Sequence, residues 1–148
     1  MLIRNAHLQM ASGEKVQTDL RVMHGCVQEI GANLEKGLYE AEIDLQGDEL
    51  RPPRLVEDIT HAETLTELQR LCRSFYRQGV GYFCTDAPET LLRAIRGAMH
   101  KKMAVPLDVQ EAGRMQQDAY ISVGTVAPLN RFDRDGMWLG VLDAHSGD

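Results

Sequence analysis

The spacing of apolar residues changes at the proline pair Pro52-Pro53, and this change limits what the chain can fold into. Before the prolines, short segments such as 19–23 alternate polar and apolar residues, which is typical of half-buried strands. After them, strand-like runs alternate with amphipathic helical segments. Proline cannot donate to a sheet ladder, so the pair ends the first part. The sequence therefore predicts a small antiparallel β domain over residues 1–53 and a β/α segment over residues 54–148.

Capping signals place two helices in the second part. Thr64 and Glu67 fit the S/T-x-x-E pattern, in which the threonine oxygen accepts an amide hydrogen bond and the glutamate reaches back. Asp86 and Glu89 form a second helix-start signal around a proline. Strands are predicted on either side of these helices, and the alternating order implies parallel pairing with right-handed crossovers. Further strands are predicted at residues 103–109, 119–126 and 138–142, with 130–136 as a polar connection.

The length of the chain restricts the β/α segment. A closed (β/α)₈ barrel needs roughly 250 residues, and the part of this 148-residue chain after His61 suffices for about three strand–helix units. We therefore expect an unclosed layer. An open parallel edge exposes unpaired backbone groups and invites pairing with another chain, so a homo-oligomer is expected.

Composition excludes several classes of protein. The net charge of −6, with 16 basic and 22 acidic residues, and the absence of a basic block argue against nucleic acid as the partner. No apolar run reaches the roughly 18 residues of a membrane helix, so we expect no membrane association and a cytoplasmic location. Cys26, Cys72 and Cys84 show no CxxC pairing, which indicates reduced thiols rather than a disulfide framework or a cysteine zinc site.

Several segments carry a resemblance to a known superfamily. Residues 2–6, 19–22 and 27–31 resemble the start of metal-dependent amidohydrolases. Residues 78–83 and 88–95 are similar to N-acetylglucosamine-6-phosphate deacetylases of that superfamily. The resemblance implies an α/β fold: half of a composite β-sandwich, followed by a partial, unclosed TIM-like layer. It also implies a divalent metal, namely zinc, that activates water against an acetamide, and a small sugar phosphate as ligand.

The resemblance also implies the candidate site residues. The two metal-binding histidines of the first barrel strand correspond to Ile59 and His61, so only one of them is present. The glutamate ligand of the family corresponds to Gln110, with Glu111 one place away. His145 resembles a later histidine segment, which makes His61 and His145 the candidate metal ligands. No position matches the catalytic aspartate of the family.

These departures predict a shortened or degenerate amidohydrolase-like protein without hydrolase activity as a single chain. Two alternatives remain open. The first is a non-catalytic module that binds a partner chain or a sugar phosphate. The second is a metal-dependent amide hydrolase whose site is completed by oligomerisation.

Overall fold

The computed structural model describes residues 1–100 and 102–142, which form two compact units. The sheet unit consists of Met1–Pro52 and the described residues from Asp118 onwards, and the β/α unit is Pro53–Gln117. The elements of the described chain, in order, are β1 (Leu2–Gln9), β2 (Lys15–Met23), β3 (Cys26–Gly31), β4 (Glu42–Asp44), β5 (Glu49–Arg51), β6 (Arg54–Thr60), α1 (Leu65–Arg77), β7 (Val80–Thr85), α2 (Glu89–Gly97), β8 (Val105–Leu107), α3 (Val109–Arg114), β9 (Leu129–Phe132) and β10 (Trp138–Leu142). None of the helices in the described part of the chain has the length and apolar character that crossing a membrane requires.

The sheet unit is a mixed sheet, not the wholly antiparallel one predicted. Its strand order is β10-β9-β5-β1-β2-β3, and β4 also pairs with β1. The β1–β2 and β2–β3 pairs are antiparallel, whereas β4 and β5 run parallel to β1. Parallel pairing needs a connection long enough to cross over. Residues 32–41, between β3 and β4, provide it.

The chain divides between Pro52 and Pro53, next to the predicted boundary, but it returns to the sheet unit after residue 117, within what was predicted as one segment. Leu129 and Ile121 are 1% and 4% exposed and belong to the core of the sheet unit. Strand β9 pairs antiparallel with β5 and so extends the sheet. Residues distant in sequence thus complete the hydrophobic core of the first 52 residues. The other buried members of this core are Ile3, Ala6, Leu8, Leu20, Val22, Val27, Leu45 and Leu50.

The β/α unit has the parallel order β6-β7-β8 expected from the sequence. Its strand β7 is covered on both faces. Phe83 packs against Phe75 of α1 with ring centroids 4.6 Å apart. The neighbouring Cys84 clusters with Leu107 and with Ala112 of α3. Because successive strand residues point to opposite faces, α1 and α3 lie on opposite sides of the sheet.

The predicted elements after α2 are correct only in part. Residues 119–126 form no strand, apart from an isolated bridge between Cys26 and Val126. Strand β9 falls where a polar connection was predicted, while β10 matches the prediction. No described sheet closes on itself. A mixed α/β fold with unclosed sheets is therefore confirmed.

At each edge of the β/α sheet, a side chain forms a hydrogen bond with a backbone group of the edge strand. The amide of Leu55 on β6 donates to Oε1 of Gln117 at 3.0 Å. On β8, Pro106 has no N–H to offer, and its carbonyl accepts from Nη2 of Arg96 at 2.8 Å. Each contact satisfies one backbone group of an edge strand, in a sheet for which the sequence predicts an open parallel edge.

Candidate functional site

The candidate site lies where β6 and β7 end. These strands are parallel, so their carboxyl ends meet at one edge of the sheet. The hydroxyl of Thr85 donates to the carbonyl of Thr60 at 2.7 Å, and the amide of Asp86 donates to the same carbonyl at 3.3 Å. Thr85 is only 1% exposed and so fixes the two strand ends against each other. This arrangement brings His61 and Asp86 together.

Asp86 holds both the side chain and the backbone of the segment after β6. Its Oδ2 lies 2.7 Å from Nδ1 of His61, and its Oδ1 accepts from the amide of Ala62 at 3.1 Å. The sequence prediction that Asp86 caps α2 is wrong. The N-cap of that helix is Pro88, and no side chain caps it.

His61 has a carboxylate at each ring nitrogen. Nε2 lies 3.0 Å from Oε1 of Glu63, opposite the Asp86 contact at Nδ1. A carboxylate only accepts, so both contacts are hydrogen bonds only when both ring nitrogens carry protons. The hydrogen bond to Asp86, followed by that to Glu63, raises the pKa of His61 above its ordinary value. The His61 contact in turn lowers the pKa of Asp86. The group remains open to water, since the His61 side chain is 64% exposed.

These residues do not fit the divalent metal that an amidohydrolase implies. A histidine ligand needs a free nitrogen lone pair, and both nitrogens of His61 are engaged by carboxylates. Ile59, which the resemblance aligned with the other metal histidine, is an apolar side chain 59% exposed. Within residues 1–100 and 102–142, no group of three or more His, Cys, Asp or Glu side chains could hold a metal ion.

Of the other candidate residues, Gln110 and Glu111 belong to α3 and make no recorded contact with His61 or Asp86. Gln110 is an exposed residue of α3. Glu111 forms the capping box of that helix: its Oε1 accepts from the amide of Asp108 at 3.0 Å, and its own amide donates to Asp108 at 2.8 Å. It also pairs with Arg96 at 2.6 Å, and this contact is the main cause of its lowered pKa. His145 lies outside the described residues.

Sequence reasoning assigned neither Glu63 nor Asp86 to this site, and Asp86 shows why. Its position before Ala-Pro suited a helix cap, which hid the other property of the same position. It directly follows a strand that pairs in parallel with the strand before His61. That shared edge is the signal that could have found it. Chemically, the assembled group can take up and release a proton in water.

Comparison with known proteins bears on the fold. No protein-family model matches the sequence, and no match is found among curated proteins. Among solved structures, the chain is similar to an amidohydrolase, with 14% identity and a TM-score of 0.52 over 72% of this chain. A putative prolidase from Bifidobacterium longum gives 13% identity and a TM-score of 0.53 over 73% of this chain. D-hydantoinase from Bacillus sp. AR9 gives 17% identity and a TM-score of 0.50 over 72% of this chain.

The fold is amidohydrolase-like. At identities this low the likeness concerns fold alone, and it confirms the predicted resemblance only at that level. The matched region covers 30%, 29% and 25% of those three chains, so this chain accounts for under a third of the length of each. The relation to N-acetylglucosamine-6-phosphate deacetylases stays a prediction.

Proposed function

We propose that this chain is a shortened amidohydrolase-like protein, related to N-acetylhexosamine-6-phosphate deacetylases, that has no hydrolase activity as a single chain. The observation that carries the proposal is the state of His61. Carboxylates engage both of its ring nitrogens, and Ile59 stands where the resemblance places the second metal histidine. The amidohydrolase-like fold supports the family relation.

The chemistry of amide hydrolysis explains the expected lack of activity. The reaction needs an activated water, a proton acceptor and a group that polarises the carbonyl. In metal-dependent hydrolases the metal can provide the first and the third. The cluster of His61, Glu63 and Asp86, here called the His61 group, offers proton transfer only. Proton transfer contributes about 10²–10⁴-fold to a rate. Enzymes accelerate reactions by about 10⁶-fold or more.

The proposal includes a structural part. The β/α unit corresponds to the first strands of a TIM-like layer, and the sheet unit corresponds to half of a composite β-sandwich. The parallel order of β6, β7 and β8 supports this correspondence. Helix α3 then covers the face of Cys84 and Leu107, opposite the face that packs on α1. In a barrel that face would point towards the interior, which side chains of the other strands fill.

The test is acetate release from N-acetylglucosamine 6-phosphate, measured with and without added zinc. We expect none from the wild-type protein. We also expect none from Ile59→His, because no position supplies the catalytic aspartate of the family. Elemental analysis after dialysis should find well under one zinc per chain.

One result would overturn the proposal. If the wild-type protein turns over this substrate and His61→Ala abolishes the turnover, a site completed between chains becomes the better description. Lys15→Ala, an exposed change on β2, serves as the control for this comparison.

A further inference from the structure

The sheet unit contains a hollow that the proposed function does not use. Its volume is about 620 Å³, within the range of small-molecule sites. Met1, Met23, Leu38 and Tyr39 give it an apolar lining, and Lys36 adds a positive charge. Methionine side chains adapt to ligands of different shape. The hollow therefore has the size and lining of a site for a small, largely apolar molecule.

A turn at the rim of the hollow holds two large apolar side chains in solvent. The amide of Glu40 donates to the carbonyl of Gly37 at 3.2 Å, which closes the turn over Leu38 and Tyr39. These two side chains are 81% and 98% exposed. Tyr39 has φ 78°, a left-handed conformation that turns ordinarily give to glycine or asparagine. Such a conformation costs free energy in a bulky residue, so folding alone gives no reason for a tyrosine here.

The turn is also firmly anchored. Nε and Nη2 of Arg21 donate to the two carboxylate oxygens of Glu40 at 2.8 and 3.2 Å. Glu40 accepts a further hydrogen bond from the amide of Gly37 at 2.9 Å. The contact with Arg21 is the main reason that the pKa of Glu40 falls to about 2. An anchored turn loses little conformational entropy when a ligand binds, which favours affinity.

The lining of the hollow carries charges of both signs, from Arg21 and Lys36 and from Glu35 and Glu40. The guanidinium of Arg21 is already paired with Glu29 and Glu40. For Lys36, the described residues provide no carboxylate partner. The ammonium group of Lys36 is thus available for an anion from solution.

We propose that this hollow binds a small aromatic organic anion. Its ring packs between the side chains of Tyr39 and Leu38 and the two methionines, and its anionic group contacts the ammonium of Lys36. The proposal is independent of the His61 group, which belongs to the other unit.

Titration with anilinonaphthalene sulfonate, an aromatic sulfonate whose fluorescence rises in apolar surroundings, tests this. We expect saturable binding of one probe per chain. Tyr39→Asn should weaken binding about tenfold, as loss of an aromatic contact does. Asparagine tolerates a positive φ, so this variant should keep the fold, and circular dichroism checks that it does. Lys36→Gln should weaken the sulfonate about threefold. It should leave uncharged phenylnaphthylamine unaffected.

Matched changes elsewhere in the sheet unit separate a site from general apolar exposure. Met137 and Leu139 are 66% and 50% exposed, so Met137→Ser and Leu139→Ser should leave the affinity unchanged. The proposal fails if binding does not saturate, if Tyr39→Asn binds as tightly as the wild type, or if the control variants lose as much affinity. An unchanged sulfonate affinity in Lys36→Gln would overturn the anionic part of it.

Discussion

The two units differ in how far apart in sequence their neighbouring elements lie. In the β/α unit each strand pairs with the next strand along the chain. In the sheet unit β5 lies between β1 and β9, and Leu50 pairs with Arg131. Because strands that are neighbours in sequence also pair with each other, the spacing of apolar residues predicts the β/α unit. The sheet unit is completed by residues after 117, and the spacing of apolar residues does not show that they belong to it.

The expected assembly concerns the edges of the β/α sheet. The predicted homo-oligomer rested on an open edge of the β/α layer. In the structure, Gln117 and Arg96 occupy backbone groups at the two edges of that sheet. Assembly stays a prediction, which light scattering at low micromolar concentration would test. Each of these two contacts satisfies one backbone group of an edge strand.

Removal of residues 118–148 should produce the largest effect. It takes Ile121 and Leu129 out of the core of the sheet unit, and each loss of a buried aliphatic side chain costs about 2–5 kcal/mol. We expect this unit to lose about 4 kcal/mol or more. Hydrogen exchange should then show loss of amide protection in β1 and β5, with β6 and β7 still protected.

Leu129→Ala provides the graded version of this change, with an expected cost of about 3 kcal/mol to the same unit. Equal loss of protection in both units after the truncation would contradict the division into a local and a non-local unit.

Glu40→Gln should have the next largest effect, again confined to the sheet unit. The change removes the charge that pairs with Arg21, and solvent screening limits the cost to about 1.5 kcal/mol. The folded pKa of about 2 lies below the ordinary 4.5. The stabilisation is therefore full above pH 4.5 and is lost as the pH falls through 2. Urea unfolding at pH 7 and pH 3 measures it.

Glu14→Gln, in the exposed turn after β1, is the matched control and should change neither midpoint. A Glu40→Gln cost that stays the same down to pH 2 would show that the carboxylate charge is not what stabilises the turn.

Asp108→Ala should destabilise the β/α unit by about 1 kcal/mol, the usual cost of losing an N-cap. Helix α3 covers Cys84, and burial raises the pKa of that thiol. Loosening α3 should therefore speed the reaction of Cys84 with a thiol reagent, while Cys72, a buried residue of α1, keeps its rate.

Asp118→Ala, outside any helix cap, should leave both thiols unchanged. Equal acceleration at Cys72 and Cys84 would mean that Asp108→Ala opens the unit as a whole rather than through α3.

Local signals in the sequence predicted the β/α unit well. Thr64 caps α1 as expected, since its hydroxyl accepts from the amide of Glu67 at 3.1 Å. Strand β5 has three residues, too few to show an alternating pattern. Strand β9 was predicted as a polar connection because of Asn130. That side chain is only 2% exposed, since it donates to the carbonyl of Pro52 and accepts from Trp138. A buried polar residue with distant partners resembles a loop residue in sequence.

The sequence predicted where His61 lies but not which residue it contacts. His61 follows a strand end that its spacing indicated, and the structure places it there. Its contact with Asp86 was not predicted, because an acid before Ala-Pro has two physical explanations. Helix capping is decided by local sequence, whereas pairing across two strand ends depends on the sheet. Sequence spacing favours the local explanation even where the distant partner is the actual one.

The smallest effect is expected at His61. The stability of the β/α unit, and not that of the sheet unit, should depend on the protonation of this side chain. The folded pKa lies above the ordinary 6.5, so the stabilisation from the contacts with Asp86 and Glu63 is full below pH 6.5. It is lost as the pH rises through the raised value. His61→Gln should remove this dependence from the β/α unit alone, and His100→Gln should not. Titration of the imidazole resonances should give a midpoint above 6.5 in the wild type and a lower one in Asp86→Asn. A midpoint at 6.5 that Asp86→Asn leaves unchanged would show that the two strand ends are not joined through this proton.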